Sequence, residues 1–288
     1  MSAPAQGGWW PDWALFGDAL ATGAWLGVVL PWLGVLLLLR QQVFVAAAIG
    51  QAANLGGAGA MALSAALGAC PLHVAGASSP PWLVLASVVP ACVAAYAALR
   101  AGDGTHAALE APSAVVFLVG SAGAMVVLAG QPHGAQELQR LFLSSLLSAG
   151  AVDAWCAAGA ACIVGAALWW RPRLLLAWAV EPRTARAHGA PVRRLDLAAA
   201  VVLGAVVGQS LLATGLLYTF AAMTLPVLAA RSLARSLRGV VLAAPVLGVG
   251  GQALAFAVAH RCDLPPGQVA VLWYAAFAGL AAVFGRRR

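Results

Sequence analysis

A polar side chain inside a long apolar run is costly to bury, so the few that occur there are where chemistry is sought first. Gln51 and Asn54 lie three residues apart, a spacing that puts both on one helix face, and Gln209 and Gln252 extend the set. Together they offer a neutral amide lining. Amides in this setting either mark a passage for a polar solute or hydrogen-bond one helix to another, and the residues leave both readings open. A second set combines Cys70 and His73 (C-x-x-H) with His260, Cys262 and Asp263 (H-x-C-D). If those two loops meet, they supply soft and borderline ligands of the types zinc takes. A Cys70–Cys262 disulfide in an oxidising exterior is the alternative, as are unrelated loop residues. The third set is Arg231, Arg235 and Arg238, spaced by four and three and therefore on one face of a short helix. It follows Pro226, which interrupts the helical hydrogen-bond ladder. Such a cationic face suits a docking partner or lipid phosphates. Cys92, Cys156 and Cys162 read as small helix-packing residues, and His106, His133 and His188 as solvated loop residues.

The elements that must hold these groups follow from composition. Hydrophobic residues make up 62% of the 288, charged residues 9%, and mean hydropathy is +0.90. A soluble domain carries about 25% charged residues, so this chain could not cover a globular surface. Its apolar residues come in runs of about 20, the length that crosses a hydrocarbon core as a helix. The runs predict an all-α polytopic bundle of nine spans, near 15–39, 43–68, 81–100, 112–130, 154–170, 197–213, 216–232, 238–259 and 268–285, in one domain over 1–288. The sixth of these runs is short and glycine-rich, so eight or ten spans are the alternatives. With nine spans and the N-terminus outside, fourteen of the sixteen arginines fall on the inner side, leaving only Arg140 and Arg261 outside. The positive-inside rule therefore predicts N outside and C inside. Residues 1–12 carry no basic group, so the first span reads as a retained helix rather than a cleaved secretory signal. Glycine, alanine and serine fill the spans, which lets helices approach closely and permits dimerisation.

Composition also excludes. The chain has no lysine, and a phosphate-binding Walker loop needs one, so any ATP is used by another subunit and this chain binds no cofactor of its own. The net charge of +7 has a topological explanation and does not point to nucleic acid. No Ser/His/Asp or paired-carboxylate group converges within the spans, which argues against a membrane-embedded enzyme.

Three stretches say more: RQQVFVAAAIGQAANLGGAG (40–59), EPRTARAHG (181–189) with GLLYTFAAMTLPVLAARSLA (215–234), and DLPPG (263–267). Together they resemble the permease subunits of zinc-, manganese- and iron-type ABC importers. The family's motifs are D-x-L-x-H-A-x-L-x-G, a cytoplasmic P-D-x-A-x-x-x-G, a glycine and proline eleven apart leading to small residues and arginine, and an outer D-x-P-x-G. Ala185 and Gly189 match the second, Gly215 and Pro226 with Ala229, Ala230 and Arg231 the third, and Asp263, Pro265 and Gly267 the fourth. The resemblance covers roughly 15–288 and is strongest from 171 onward. It implies a homodimer in a bacterial cytoplasmic (inner) membrane, with an ABC ATPase docked at Pro226, Arg231, Arg235 and Arg238. It also implies an extracytoplasmic solute-binding protein that delivers substrate.

The first motif departs from the family. Aligned on Ala52 and Gly56, the family's histidine falls at Gln51 and its aspartate at Ala47, one turn apart on one face. A carboxylate has become a methyl group and an imidazole a neutral amide. By the span map, all nine acidic residues lie in loops or at span ends, so no anionic partner awaits a bare dication at mid-membrane. The expected substrate pathway is then Ala47, Gln51, Asn54 and Gln209, and the cargo a divalent metal, a metal chelate or another small solute. A stand-alone carrier or channel is the rival, which would have no use for a docking face at 226–239.

Overall fold

The computed structural model describes residues 13–66, 81–101, 106–131, 134, 136 and 146–285. Its helices are α1 (Trp13–Leu39), α2 (Val43–Ala66), α3 (Pro81–Ala101), α4 (His106–Ala129), α5 (Ala151–Trp170), α6 (Pro172–Val180), α7 (Pro182–Ala187), α8 (Val192–Thr214), α9 (Leu216–Leu233), α10 (Leu237–Cys262) and α11 (Pro266–Gly285), with a 3-10 turn at Leu146–Ser148. Among the described residues nine of them are long and apolar enough to cross a membrane, all but α6 and α7. The nine spans expected from the apolar runs are these nine helices, the sixth and seventh included. Inside a bilayer an α-helix satisfies its own backbone polar groups, which is why such runs take no other form here.

The chain stops its helices with one recurring device. After α1, Gln41 adopts the left-handed conformation (φ 57°), the Gln42 N–H reaches the Leu37 carbonyl and the Gln41 N–H reaches that of Leu38. This pairing caps the orphan carbonyls of the last turn. Gly189 (φ 81°) closes α7 in the same way, with Ala190 bonded to Ala185 and Gly189 to Arg186. Asp263 (φ 51°) ends α10, with Leu264 bonded to Ala259, and Pro266 then opens α11. The DLPPG segment is thus a helix stop followed by a helix start, with proline where a first turn lacks hydrogen-bond partners anyway. Between α8 and α9 only Gly215 intervenes, at φ 82° and ψ 164°, a region closed to side chains with a Cβ.

Packing follows from small residues. α1 runs against α10, α5 and α9; α2 is central, touching α3, α4 and α8; α3 pairs with α8 and α11 with α9. At the α1–α10 crossing Gly248 lies so close to the Gly27 carbonyl that an added Cβ would collide with it. The Tyr274 hydroxyl donates to the Gly248 carbonyl at 2.7 Å and fixes α11 to the same crossing. The core is a continuous apolar cluster from Leu26, Leu30 and Leu37 through Ile49 and Leu99 to Leu203, Leu211 and Tyr218. The bundle has one arginine-rich end, where α1 meets α2, α6 and α7 lie, and α9 meets α10.

Candidate functional site

Ala47, Gln51 and Asn54 fall on one face of α2 and are all buried, Gln51 to 2% and Asn54 to 0% exposure. The Asn54 Nδ2 donates to Gln51 Oε1 at 3.3 Å. That bond stays within one helix, so these amides do not tie α2 to a neighbour through each other. Gly120 of α4 presses on the Gln51 backbone and holds this turn against α4. Gln209 is elsewhere. It lines a cleft of about 310 Å³ walled by α1, α5 and α8, together with Thr22, Asp153, Cys156 and Ser210. Gln252 packs on Gly23 of α1 with its side chain buried, and neither amide atom has a hydrogen-bond partner among the described residues. The neutral lining expected from four amides is therefore a buried pair on α2 and two separated residues on α8 and α10.

A hydroxyl group at the α8–α9 joint was not singled out from sequence. Ser210 and Thr219 hydroxyls are 2.8 Å apart, and Thr214 and Thr219 donate to the Ser210 and Gly215 carbonyls, each at 2.8 Å. These bonds satisfy the side chains next to the backbone break at Gly215. Serine and threonine inside an apolar run give little warning, because each can return its proton to its own helix.

His260 and Asp263 line a pocket of about 380 Å³ at the end opposite the arginines, with Phe16, Phe256 and Leu147 as its apolar wall. The Phe16 and His260 rings meet edge to face at 6.2 Å. Among the described residues no three of His, Cys, Asp and Glu converge as a metal site, so His260, Cys262 and Asp263 do not form one by themselves. The other two members of that expected cluster, Cys70 and His73, lie outside the described residues, as does their half of the alternative disulfide. Asp263 has a local reason to be there, the left-handed helix stop, which aspartate tolerates better than most residues.

At the arginine-rich end a cleft of about 910 Å³ opens between the α1–α2 turn and the α9–α10 connection. Gln41, Gln42, Phe44 and Ser113 form one wall; Arg231, Arg235 and Ser236 form the other. The short helix expected to carry three arginines on one face is not formed. α9 continues through the buried Pro226 to Leu233, Ala234 is extended, and α10 starts at Leu237, capped by the Ser236 hydroxyl accepting from Gly239 N–H at 3.1 Å. Serine competes for backbone donors at a helix start, so Ser236 fixes the new helix where the spacing of arginines suggested continuity. Arg231 ends α9, Arg235 lies in the connection and Arg238 begins α10; all three are exposed.

Beside this cleft is a buried charge pair. Arg40 Nη2 and Asp196 Oδ1 are 3.0 Å apart, with side chains 4% and 3% exposed. Trp178 of α6 donates its indole N–H to the same carboxylate oxygen at 2.9 Å, and the guanidinium lies 4.2 Å from the Trp178 ring centroid. Arg40 Nη1 also donates to the Leu99 carbonyl at 3.0 Å. One arginine thus joins the ends of α1, α3, α6 and α8. The sequence reading placed Arg40 among loop arginines and Asp196 at a span end; their burial depends on α6 folding back over them.

Residues 13–285 match the profile of the ABC 3 transport family. The fold is similar to that of PsaBC from Streptococcus pneumoniae, solved in complex with Fab, with 19% identity, a TM-score of 0.71, and 94% of this chain and 91% of that one covered. It is equally similar to an inward-facing conformation of a metal-chelate type ABC transporter, with 13% identity, a TM-score of 0.71, and 99% and 91% covered. No curated protein matches. The motif residues noted in the sequence have visible structural work: Ala185 is buried between α6 and α8, Gly189 and Asp263 stop helices, and Gly215 divides α8 from α9. With the match running over nearly the whole bundle, this chain is a multi-pass membrane protein that belongs to the ABC 3 transport family of ABC transporter permeases.

Proposed function

We propose that the chain is the permease subunit of an ABC importer for a divalent metal of the zinc, manganese or iron class. Family membership across residues 13–285 is the observation that carries this reading. The arginine-rich end faces the cytoplasm, in keeping with the positive-inside rule, and the opposite end receives substrate from an extracytoplasmic binding protein. The permease works as a pair of identical chains in a bacterial cytoplasmic membrane. A separate ATPase binds at the cytoplasmic face, where the cleft rimmed by Arg231 and Arg235, with Arg238 beyond it, offers cationic contacts. The exposed α7 arginines Arg183 and Arg186 stand at the same end.

A second reading, a chelated metal or another solute without exposed positive charge, is favoured by the buried Gln51–Asn54 amide pair. Amide oxygens carry no net charge, so a bare dication held there would keep most of its desolvation cost. One of the two similar structures is of a metal-chelate type transporter, which agrees with this alternative.

The deciding experiment is ATPase stimulation in vesicles holding the permease, its ATPase and its binding protein, for wild type and Ala47→Asp/Gln51→His. Stimulation of wild type by zinc or manganese supports bare-metal transport. A response of the double variant alone moves the cargo to the chelated or uncharged class. No nucleotide-driven response to any free or chelated metal, in a preparation with intact ATPase coupling, would sink both metal readings and leave only a metal-free solute.

A further inference from the structure

We infer that the seam between α5 and α8 holds an anionic phospholipid, its acyl chain lying against α1 and its phosphate held by arginines at the cytoplasmic end. α5 and α8 are neighbours that barely touch. Between them, a wholly apolar cavity of about 220 Å³ is lined by Leu33, Leu37, Ile163, Leu168 and Ala199, with Trp178 and Arg40 at its inner end. Ile163 also lines the 310 Å³ cleft farther along the same two helices, so the two cavities lie end to end beside α1. The mouth is lateral: Ile163, Ala167 and Ala198 are exposed on the membrane-facing side. The 220 Å³ cavity, with its apolar surface inside the hydrocarbon layer, is filled by hydrocarbon, since water finds few partners there and a void forfeits dispersion contacts.

Charge selects the headgroup. Arg194 precedes the lining residue Ala198 by one turn of α8, and Arg171 follows the lining residue Ala167 by one turn at the end of α5, its N–H bonded to the Ala167 carbonyl. Both arginines therefore stand just beyond the cavity at the arginine-rich end. Arg173 and Arg193 are exposed beside them. The acids nearby are Glu181, exposed at the far end of α6, and Asp196, already held by Arg40 and Trp178. Trp169 and Trp170, 89% and 81% exposed at the α5–α6 elbow, mark the level of the interface, where indole rings favour the headgroup region. Basic groups around an inter-helix groove on the cytoplasmic side suit an anionic phospholipid.

The test uses full-length permease purified in a neutral detergent, with phosphatidylglycerol or phosphatidylcholine added and retained lipid counted by native mass spectrometry. The expected result is about one phosphatidylglycerol per chain, retained at least tenfold better than phosphatidylcholine. Arg171→Gln/Arg194→Gln removes that preference, whereas Arg261→Gln at the opposite end leaves it. Ala167→Phe, at an exposed position on the groove wall, removes retention of both lipids without changing the oligomeric state. Equal retention of the two lipids by wild type, or unchanged preference in the double glutamine variant, would overturn the assignment. So would a dimer that falls to monomers on Ala167→Phe, which would make the seam a contact between copies. Circular dichroism of each variant separates lost binding from lost folding.

Discussion

Asp196→Leu removes the carboxylate from the buried cluster and leaves the Arg40 guanidinium inside the protein without it. Breaking a buried, hydrogen-bonded ion pair by deleting one partner costs about 3–5 kcal/mol, mostly the penalty of the stranded charge. At roughly 2–4 °C per kcal/mol for a chain of this order of size, the midpoint of thermal unfolding falls by about 6–20 °C. Arg40→Met/Asp196→Leu removes both charges, and its deficit is much smaller, on the order of 1–2 kcal/mol, because no charge is stranded and the groups left without a partner, such as the Leu99 carbonyl and the Trp178 indole, are neutral. The assay is thermal unfolding in one detergent of wild type, Arg40→Met, Asp196→Leu and the double variant, completed as a double-mutant cycle. Losses that simply add across the cycle would refute the argument, since they would mean that guanidinium and carboxylate do not interact in the folded protein. Trp178→Phe keeps most of the aromatic face and removes the indole donor, and is expected to cost about 1.5–3 kcal/mol, as hydrogen bonds to charged groups do.

Other expectations follow from single contacts. Gly248→Leu forces α1 and α10 apart at the Gly27 crossing and should lower stability by at least about 1–3 kcal/mol, read from the same unfolding assay. Gly215→Ala places a Cβ in a backbone region that rejects it, costing about 1–3 kcal/mol, whereas Gly59→Ala, with open space around it, should be silent. Gln252→Leu replaces a buried amide that has no hydrogen-bond partner among the described residues, so stability should hold or rise; a loss of transport at unchanged stability would place Gln252 on the solute's route. Charge reversal separates the two cationic surfaces at the arginine-rich end: Arg235→Glu/Arg238→Glu and Arg183→Glu/Arg186→Glu are compared for co-purification of the ATPase, and the pair that loses it carries the docking.

How far the sequence could be read depended on the range of the interaction that decides each feature. Span number and length were legible because solvation by lipid acts on every residue of a run; the division of α8 from α9 was left open by the short, glycine-rich sixth run, and Gly215 makes it with a turn that only a residue without a Cβ takes cheaply. Features set by one local hydrogen bond were misread. Three arginines at helical spacing suggested one short helix, but a single serine at 236 starts a new helix and scatters them over three elements. Features set by tertiary contact were invisible. Gln51, Asn54, Gln209 and Gln252 looked alike as amides in apolar runs, and packing gives the three helices that carry them different neighbours. Arg40 and Asp196, 156 positions apart, had no signature beyond their charge, yet they make the bundle's buried ion pair.

That pair bears on the cargo. Asp196 is a buried carboxylate within a span, and its oxygen already accepts from both Arg40 and Trp178. To hold a passing dication through that oxygen, the protein would have to release an arginine at the edge of a largely apolar cavity. The cost of stranding that guanidinium is of the same order, about 3–5 kcal/mol, as the loss predicted for Asp196→Leu. The carboxylate is therefore committed to structure, and the α2 face offers a metal only amide oxygens. A cargo that brings its own anionic ligands avoids the problem, because its charge is neutralised before it enters. The two arms of the ATPase experiment turn on this point: restoring Asp at 47 and His at 51 should help a bare dication and do nothing for a chelate.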